Sequence, residues 1–336
     1  MLVLGIETSC DECAIAVLED GRKVRASLVA SQWEIHRPFY GVVPELASRT
    51  HIRWILPIFR EVLAKAELKP HDLNAIAATN RPGLLGALLV GFTFGKGLAY
   101  GLGIPFVAVD HVRAHLFAPH IEKDIPYPYL GLLVSGGHTL IVLVRDFDVI
   151  EVLGSTIDDA CGEAFDKVAK FYNLGYPGGV AIDQLSQQGN PNAFSFPDPS
   201  LHKGRHKYDI SYSGLKTAVI HQLDQFRNPG YENSIPNLAA SFQKAAIDIL
   251  LKRLFAAVED FSIRRVVIGG GVGANSYLRK VLLEKSELEV FFPSFELCTD
   301  NAIMVAGLGT ELLKRGVRTP FSENAYARVP EFKKFQ

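Results

Sequence analysis

The sequence predicts an α/β protein of two lobes, and three features carry that prediction. Residues 2–18, LVLGIETSCDECAIAVL, run apolar strand, polar turn, apolar strand, and residues 130–145, LGLLVSGGHTLIVLVR, repeat the design. Residues 264–283 read as a strand, a glycine turn and a helix. With 336 residues, 48% hydrophobic and 21% charged, the chain can bury a large core, and its length favours two lobes over one.

Taken in order, the turn of the first hairpin is rich in Ser and Thr and that of the second in Ser and Gly. Such turns present N–H groups and hydroxyls in a concave nest suited to phosphate oxygens, although two ordinary hairpins with small turn residues would read the same way. Pro44 to Leu68 is helical in period. Gly83 to Gly103 is apolar enough to suggest a membrane span, yet it contains Lys96 and seven glycines; we read it as a buried helix packed closely against a sheet.

Residues 96–116, KGLAYGLGIPFVAVDHVRAHL, end in His111-Val-Arg-Ala-His115 at the exit of a strand-like run. Four apart on a helix means one face, so the two imidazoles could share a divalent cation at about 2.0–2.1 Å per nitrogen. Two histidines on one solvated face also arise by chance. A metalloprotease H-E-x-x-H would need glutamate beside the first histidine, and positions 112 and 113 are valine and arginine. A metal that orients and polarises a substrate fits these residues better.

Residues 190–212 read as a long irregular loop with a basic edge at Lys203, Arg205 and Lys207. Leu238 to Val258 carries Phe242, Ile247, Leu250, Leu251 and Leu254 on one core stripe. After the strand Arg264 to Ile268, Gly269-Gly-Gly-Val-Gly-Ala-Asn275 opens a helix whose first amides are available to a nucleotide, with Asn275 or Ser276 as cap; a tight connection needing glycine for packing would give the same letters. A last helix runs from Asn301 to Arg315, with Asp300 at or just before its start, where a carboxylate is most often a simple cap.

Lys+Arg (35) against Asp+Glu (36) leaves a formal charge of −1, so no global basic field advertises nucleic acid and any RNA contact rests on local patches or a partner. Four cysteines do not make a disulfide framework in a chain this long. Cys10 and Cys13 have C-x-x-C spacing without a second pair and read as reduced residues of a turn, and Cys161 and Cys298 as small core or near-site residues. The N-terminal run is cut short by Glu7 and has no basic start, which is unlike a signal peptide and places the protein in the cytoplasm.

Together these segments resemble the TsaD/Gcp family, the OSGEP family in eukaryotes. The signature lies in 96–116, with Lys96-Gly97, Pro105, His111, Ala114, His115 and Leu116 in register. Gly5-Ile-Glu-Thr-Ser-Cys-Asp-Glu12, Pro82-Gly-Leu, Val134-Ser-Gly-Gly-His138, Gly162-Glu-Ala-Phe-Asp-Lys167, Tyr176-Pro-Gly-Gly179 and Gly269 to Asn275 match in order. The resemblance implies two RNase H-like lobes of the actin/Hsp70/sugar-kinase (ASKHA) superfamily around a nucleotide cleft: 1–125 plus 301–336 as the N-terminal lobe and 126–300 as the C-terminal lobe.

It also implies transfer of threonylcarbamoyl from threonylcarbamoyl-AMP to N6 of the adenosine 3′-adjacent to the anticodon of tRNAs reading ANN codons, with release of AMP. Carried over residue by residue, His111, His115 and Asp300 hold one divalent metal, iron ahead of zinc. Val134, Ser135, Gly136, Gly137 and His138 line the substrate, and Asp166, Gly179, Asp183 and Asn275 hold its nucleotide part. Asp11 or Glu12 assists proton transfer from the amine. The implied partners are tRNA, a TsaB-like paralogue docking on an exposed N-terminal helix, and a TsaE-like ATPase, with no membrane. Cys13, Arg81, Arg113 and Leu133 depart from the usual pattern, and Leu133 removes a tyrosine ligand that some archaeal relatives supply. The rival readings are a nucleotide-binding regulator or ATPase on the same fold, which has no need of the histidine pair, and a metallopeptidase.

Overall fold

The computed structural model describes residues 1–198 and 204–329. The chain forms two compact units, one from Met1–Ile125 with 293–329 and one within Pro126–Phe292. The first unit contains β1 (Leu2–Glu7), β2 (Glu12–Glu19), β3 (Lys23–Ser31), α1 (Trp33–His36), α2 (Pro44–Lys65), β4 (Ala75–Arg81), α3 (Leu85–Leu102), β5 (Phe106–Asp110) and α4 (His111–Glu122). The second contains β6 (Tyr129–Val134), β7 (Thr139–Asp146), β8 (Val149–Ser155), α5 (Cys161–Phe171), α6 (Gly178–Ser186), α7 (Ser213–His221), α8 (Ile235–Phe261), β9 (Arg265–Gly269), α9 (Ser276–Leu283) and β10 (Glu289–Phe291). The chain then returns to the first unit with α10 (Phe295–Cys298) and α11 (Ala302–Lys314). Its return at Pro293 precedes the 301 expected from the sequence, because α10 packs on α4 and the Ser294 N–H donates to Glu122 Oε2 at 2.9 Å.

Both units carry the same sheet. Three antiparallel strands are followed by two parallel ones added on the other side of the first, giving the orders β3-β2-β1-β4-β5 and β10-β9-β6-β7-β8. This is the doubling announced by the two hairpins. β1 and β6 sit mid-sheet and are apolar and buried along nearly their whole length, as strands covered on both faces must be.

In the first unit, alternate residues of β1 show what covers each face. A Cβ on Gly5 would lie 2.2 Å from the Ala302 carbonyl oxygen, so α11 rests directly on that strand; on the opposite face Gly91 of α3 comes against Ile6 and Thr8. α11 is buried over nearly its full length. Helix α3 is long and apolar enough to cross a membrane by length and composition, but it is buried along one face only. The close packing on the sheet expected from the sequence is present, and the burial is limited to that face: Leu85, Leu89 and Tyr100 on the other side are exposed.

In the second unit the stripe of α8 packs into one core with Leu130, Leu132 and Ile268, and Phe242 meets Phe165 of α5 with ring centroids 5.0 Å apart. The described parts of 190–212 hold only a short 3-10 turn, Gly204–His206, and isolated bridges at Phe194 and Ile210. Lys203 lies outside the described residues. Lys207 forms an ion pair with Asp260.

Candidate functional site: a buried His-His-Asp cluster

α4 follows β5 without a linker. Asp110 caps it, accepting the Arg113 N–H at 3.1 Å, so His111 is the first helical residue and His115 lies one turn on. The rings stand 4.6 Å apart by centroid and nearly perpendicular, at 86°. Asp300 reaches them from the connection between α10 and α11: its Oδ1 is 3.0 Å from His115 Nε2 and 3.5 Å from His111 Nε2. One ligand atom from each residue lies within 4.8 Å of the other two. Asp300 is not the cap of α11. That role belongs to Asn301, whose side chain accepts the Met304 N–H at 2.9 Å, which leaves the neighbouring carboxylate to the histidines.

Glu7 completes this centre and had escaped the sequence reading, where it marked only the end of an apolar run. β1, β4 and β5 are parallel neighbours, so their carboxyl ends bring Glu7, Thr79 and His111 together. Glu7 is fully buried; its Oε1 accepts the Ser9 N–H at 2.6 Å, and its Oε2 accepts the Thr79 hydroxyl at 2.7 Å and lies 3.0 Å from His111 Nδ1. A carboxylate closing an otherwise apolar central strand is the one sequence signal that could have found it, since burial demands a partner for such a group.

Burial alone would raise the Glu7 carboxyl, and the His111 ring beside it more than offsets this, holding it below the ordinary carboxylate range. Burial opposes charge on His111 too, but the Asp300 and Glu7 carboxylates prevail and raise it to about 9. His115 is lowered, first by burial and then by the charge of His111. With Nδ1 of His111 held by Glu7, its Nε2 turns toward Asp300. Two imidazole nitrogens and one carboxylate oxygen, one imidazole oriented from behind by a carboxylate, form a donor set that fits a divalent transition metal and leaves coordination positions open.

Asp11 and Glu12 lie on the turn that follows Glu7. Asp11 is nearly buried, and Glu12 Oε1 accepts the Ser31 hydroxyl at 3.1 Å. Burial, then the negative charges of Asp300 and Asp11, push the Glu12 carboxyl well above its usual range. Burial and the surrounding carboxylates Asp11, Asp300 and Glu12 likewise raise the Cys10 thiol, which suits an inert residue. All four cysteines are free.

In the second unit Ser135 to His138 closes the β6–β7 hairpin as a tight turn: the Ser135 N–H donates to the His138 carbonyl at 2.8 Å and the His138 N–H to Ser135 Oγ at 3.1 Å. Gly136 and Gly137 are exposed, with open space where a Cβ would stand. Val134 is fully buried in the core, so it offers only its backbone to a ligand. β6 and β9 are parallel and end side by side, and Gly270, at φ +87°, would place a Cβ 2.4 Å from the Val134 carbonyl oxygen. The glycine connection therefore adjoins the Ser135 turn. Asp166 holds the start of α6 through the Gly178 N–H at 2.7 Å, next to the unobstructed Gly179.

Asn275 caps α9 by accepting the Leu278 N–H at 3.0 Å. Its amide donates to Gln243 Oε1 at 2.9 Å and to Asp183 Oδ1 at 3.3 Å. Gln243, buried on α8, was also missed, because a lone polar residue on a core stripe carries no local mark of its long-range partner. Thus each sequence-predicted residue of this unit lies at or near the carboxyl ends of β6 and β9 or the helix starts beside them.

Comparison with known proteins places the chain in a family. The family described as tRNA N6-adenosine threonylcarbamoyltransferase matches residues 23–307. A protein of that name from Treponema denticola is 59% identical over 334 residues, covering 99% of both chains, and one from Borrelia garinii is 47% identical, covering 99% of this chain and 98% of its own. Component A of the (R)-2-hydroxyglutaryl-CoA dehydratase of Acidaminococcus fermentans shares the fold at a TM-score of 0.56 and 16% identity, covering 93% of this chain and 98% of its own. The doubled five-stranded sheet is accordingly a fold the two proteins have in common. With the match extending over nearly the whole chain, this protein belongs to the tRNA N6-adenosine threonylcarbamoyltransferase family.

Proposed function

We propose that, in the family's transfer of threonylcarbamoyl to N6 of adenosine in tRNA, His111, His115 and Asp300 are the ligands of the divalent metal, and that this metal is iron. The convergence of the three donors, with Glu7 behind His111, carries this reading. The metal supplies Lewis-acid polarisation and offsets the negative charge that develops on the carbamoyl group. Zinc would satisfy the same donors.

The residues of the chain do the rest. The amine nitrogen of the adenosine attacks the carbamoyl carbon, the bond from that carbon to the phosphate oxygen breaks, and AMP leaves with the electron pair. The proton lost from N6 passes to the first-unit turn, where Glu12, its carboxyl raised by burial and by the charges of Asp300 and Asp11, is the stronger candidate for general base and Asp11 the alternative. Ser135, Gly136, Gly137 and His138, with the Val134 backbone, bind the adenylate together with Asp166, Gly179, Asp183 and Asn275. The exposed Gly136 and Gly137 suit close approach of a phosphate.

The chain also needs partners. α2 and α3 pack side by side, Ser48 against Gly86, and between them leave Ile52, Leu56, Leu85 and Leu89 exposed, an apolar face for helices of a TsaB-like paralogue. A TsaE-like ATPase completes the assembly, the basic edge of the 203–207 loop contributes to tRNA binding, and the cytoplasm is where that substrate is found. The test of the chemistry is the Glu12→Gln protein with threonylcarbamoyl-AMP and unmodified tRNA, the modified nucleoside being read by mass spectrometry. Turnover falls about 10²–10⁴-fold with metal content unchanged; undiminished turnover removes Glu12 from the reaction, and metal analysis of the native protein decides between iron and zinc.

A further inference from the structure

A chain of buried hydrogen bonds runs behind the turn that carries Asp11 and Glu12. Gln32, His36 and His51 are all fully buried. The Val43 N–H donates to His36 Nδ1 at 3.3 Å; His36 Nε2 lies 3.3 Å from Gln32 Oε1; Gln32 Nε2 lies 3.2 Å from His51 Nδ1; and His51 Nε2 lies 2.9 Å from the Cys10 carbonyl oxygen.

Only one arrangement of protons satisfies every link. The Val43 amide can only donate, so His36 Nδ1 accepts and its Nε2 carries the hydrogen. Gln32 therefore presents its oxygen to His36 and its NH₂ to His51. His51 Nδ1 must then accept, which puts its hydrogen on Nε2, where the Cys10 carbonyl receives it. Both rings are neutral in this scheme, in keeping with the lowering of each imidazole by burial.

The far end of the chain holds the backbone of the turn. Three successive carbonyls are occupied by donors from elsewhere in the unit: that of Ser9 by the Leu84 N–H at 2.8 Å, that of Cys10 by His51, and that of Asp11 by the Gln32 N–H at 3.1 Å. Gln32 thus anchors the turn twice, once by its own amide and once through His51. The middle carbonyl is the one held by a side chain, and it directly precedes Asp11.

We propose that His51, in the neutral Nε2–H form imposed by Gln32 and His36, is a positioning residue that sets the Asp11–Glu12 turn for proton transfer. This rests on the reading of those carboxylates as the groups that receive the amine proton. His51 touches neither the substrate nor the metal ligands; it acts through the Cys10 carbonyl.

The test compares His51→Leu with His51→Gln in the full-length protein, supplied with threonylcarbamoyl-AMP and tRNA. Glutamine can accept from Gln32 through Oε1 and donate to Cys10 through Nε2, whereas leucine fills the space without either bond. His51→Leu lowers kcat about 10²-fold, as a small misplacement of a catalytic group does, with KM for tRNA and metal stoichiometry unchanged, and His51→Gln recovers most of the loss. Equal kcat in the two variants, or wild-type kcat in His51→Leu, overturns the proposal. Should His51→Leu fail to fold, nitrogen NMR of imidazole-labelled native protein, assigned with His51→Gln and His36→Gln, reads the tautomers directly. Hydrogen on Nδ1 of either ring overturns the proposal, and hydrogen on Nε2 of both supports it. The NMR result is independent of whether Glu12→Gln and Asp11→Asn lose turnover, so failure of the carboxylate roles is told apart from failure of the anchor.

Discussion

Glu7 Oε2 lies 3.0 Å from His111 Nδ1, and the two residues, 104 positions apart, are the last of β1 and the first of α4. The carboxylate has no solvent contact, and its two oxygens are engaged by Ser9, Thr79 and this ring. Held in this way, the His111 ring has its orientation set in advance, with Nδ1–H kept on Glu7 and Nε2 the nitrogen that would give up its proton to a metal. Glu7→Gln keeps the volume and removes the charge, and should weaken metal binding about 10–100-fold, measured by competition with a chromophoric chelator. Unaltered affinity would reduce Glu7 to a packing residue.

Asp300 and Asn301 are adjacent in sequence and separate in role, which gives a crossed comparison. Asn301→Ala removes the cap of α11 and should cost about 0.5–2 kcal/mol of stability with metal retained. Asp300→Ala should lose metal, and above about pH 9, where His111 carries no charge for Asp300 to pair with, the metal-free protein should melt close to wild type. Thermal melts with elemental analysis separate the two, and the opposite pattern would return Asp300 to the role of cap.

The raised pKa of His111 couples metal uptake to pH. Without metal the ring keeps its proton up to about 9, and binding through Nε2 must expel it. Apparent metal affinity should therefore climb about tenfold per pH unit below that value and level off above it. Stability of the metal-free protein runs the other way. Because the folded pKa lies above the ordinary 6.5, the charge pairing with Asp300 and Glu7 contributes in full below pH 6.5 and is lost as the pH rises through about 9. Melting of the metal-free protein at pH 6 and pH 9 checks this sign, and the metal-loaded protein should show no such decline.

What the sequence alone determined is what local spacing encodes. Two histidines four apart share a helix face wherever that helix lies, and the pair is where the spacing put it. The repeated strand–turn–strand pattern specified two like sheets, since alternation and turn residues act over a few positions. The glycine run before Asn275 specified a strand-to-helix connection, and Asn275 caps that helix. The tertiary structure decided which distant groups answer these. Asp300 stands 185 residues from His115 and reads locally as a cap, and only the seating of α11 on Gly5, with Asn301 taking the cap, frees it to face the ring. Gln243 and the His36–Gln32–His51 chain were invisible for the same reason, and Glu7 showed only as a carboxylate closing an apolar strand, with no mark of its partner. A buried polar side chain is stabilised by a partner that the fold supplies from another element, and the identity of that partner is written in strand order and helix packing, not in the residues on either side.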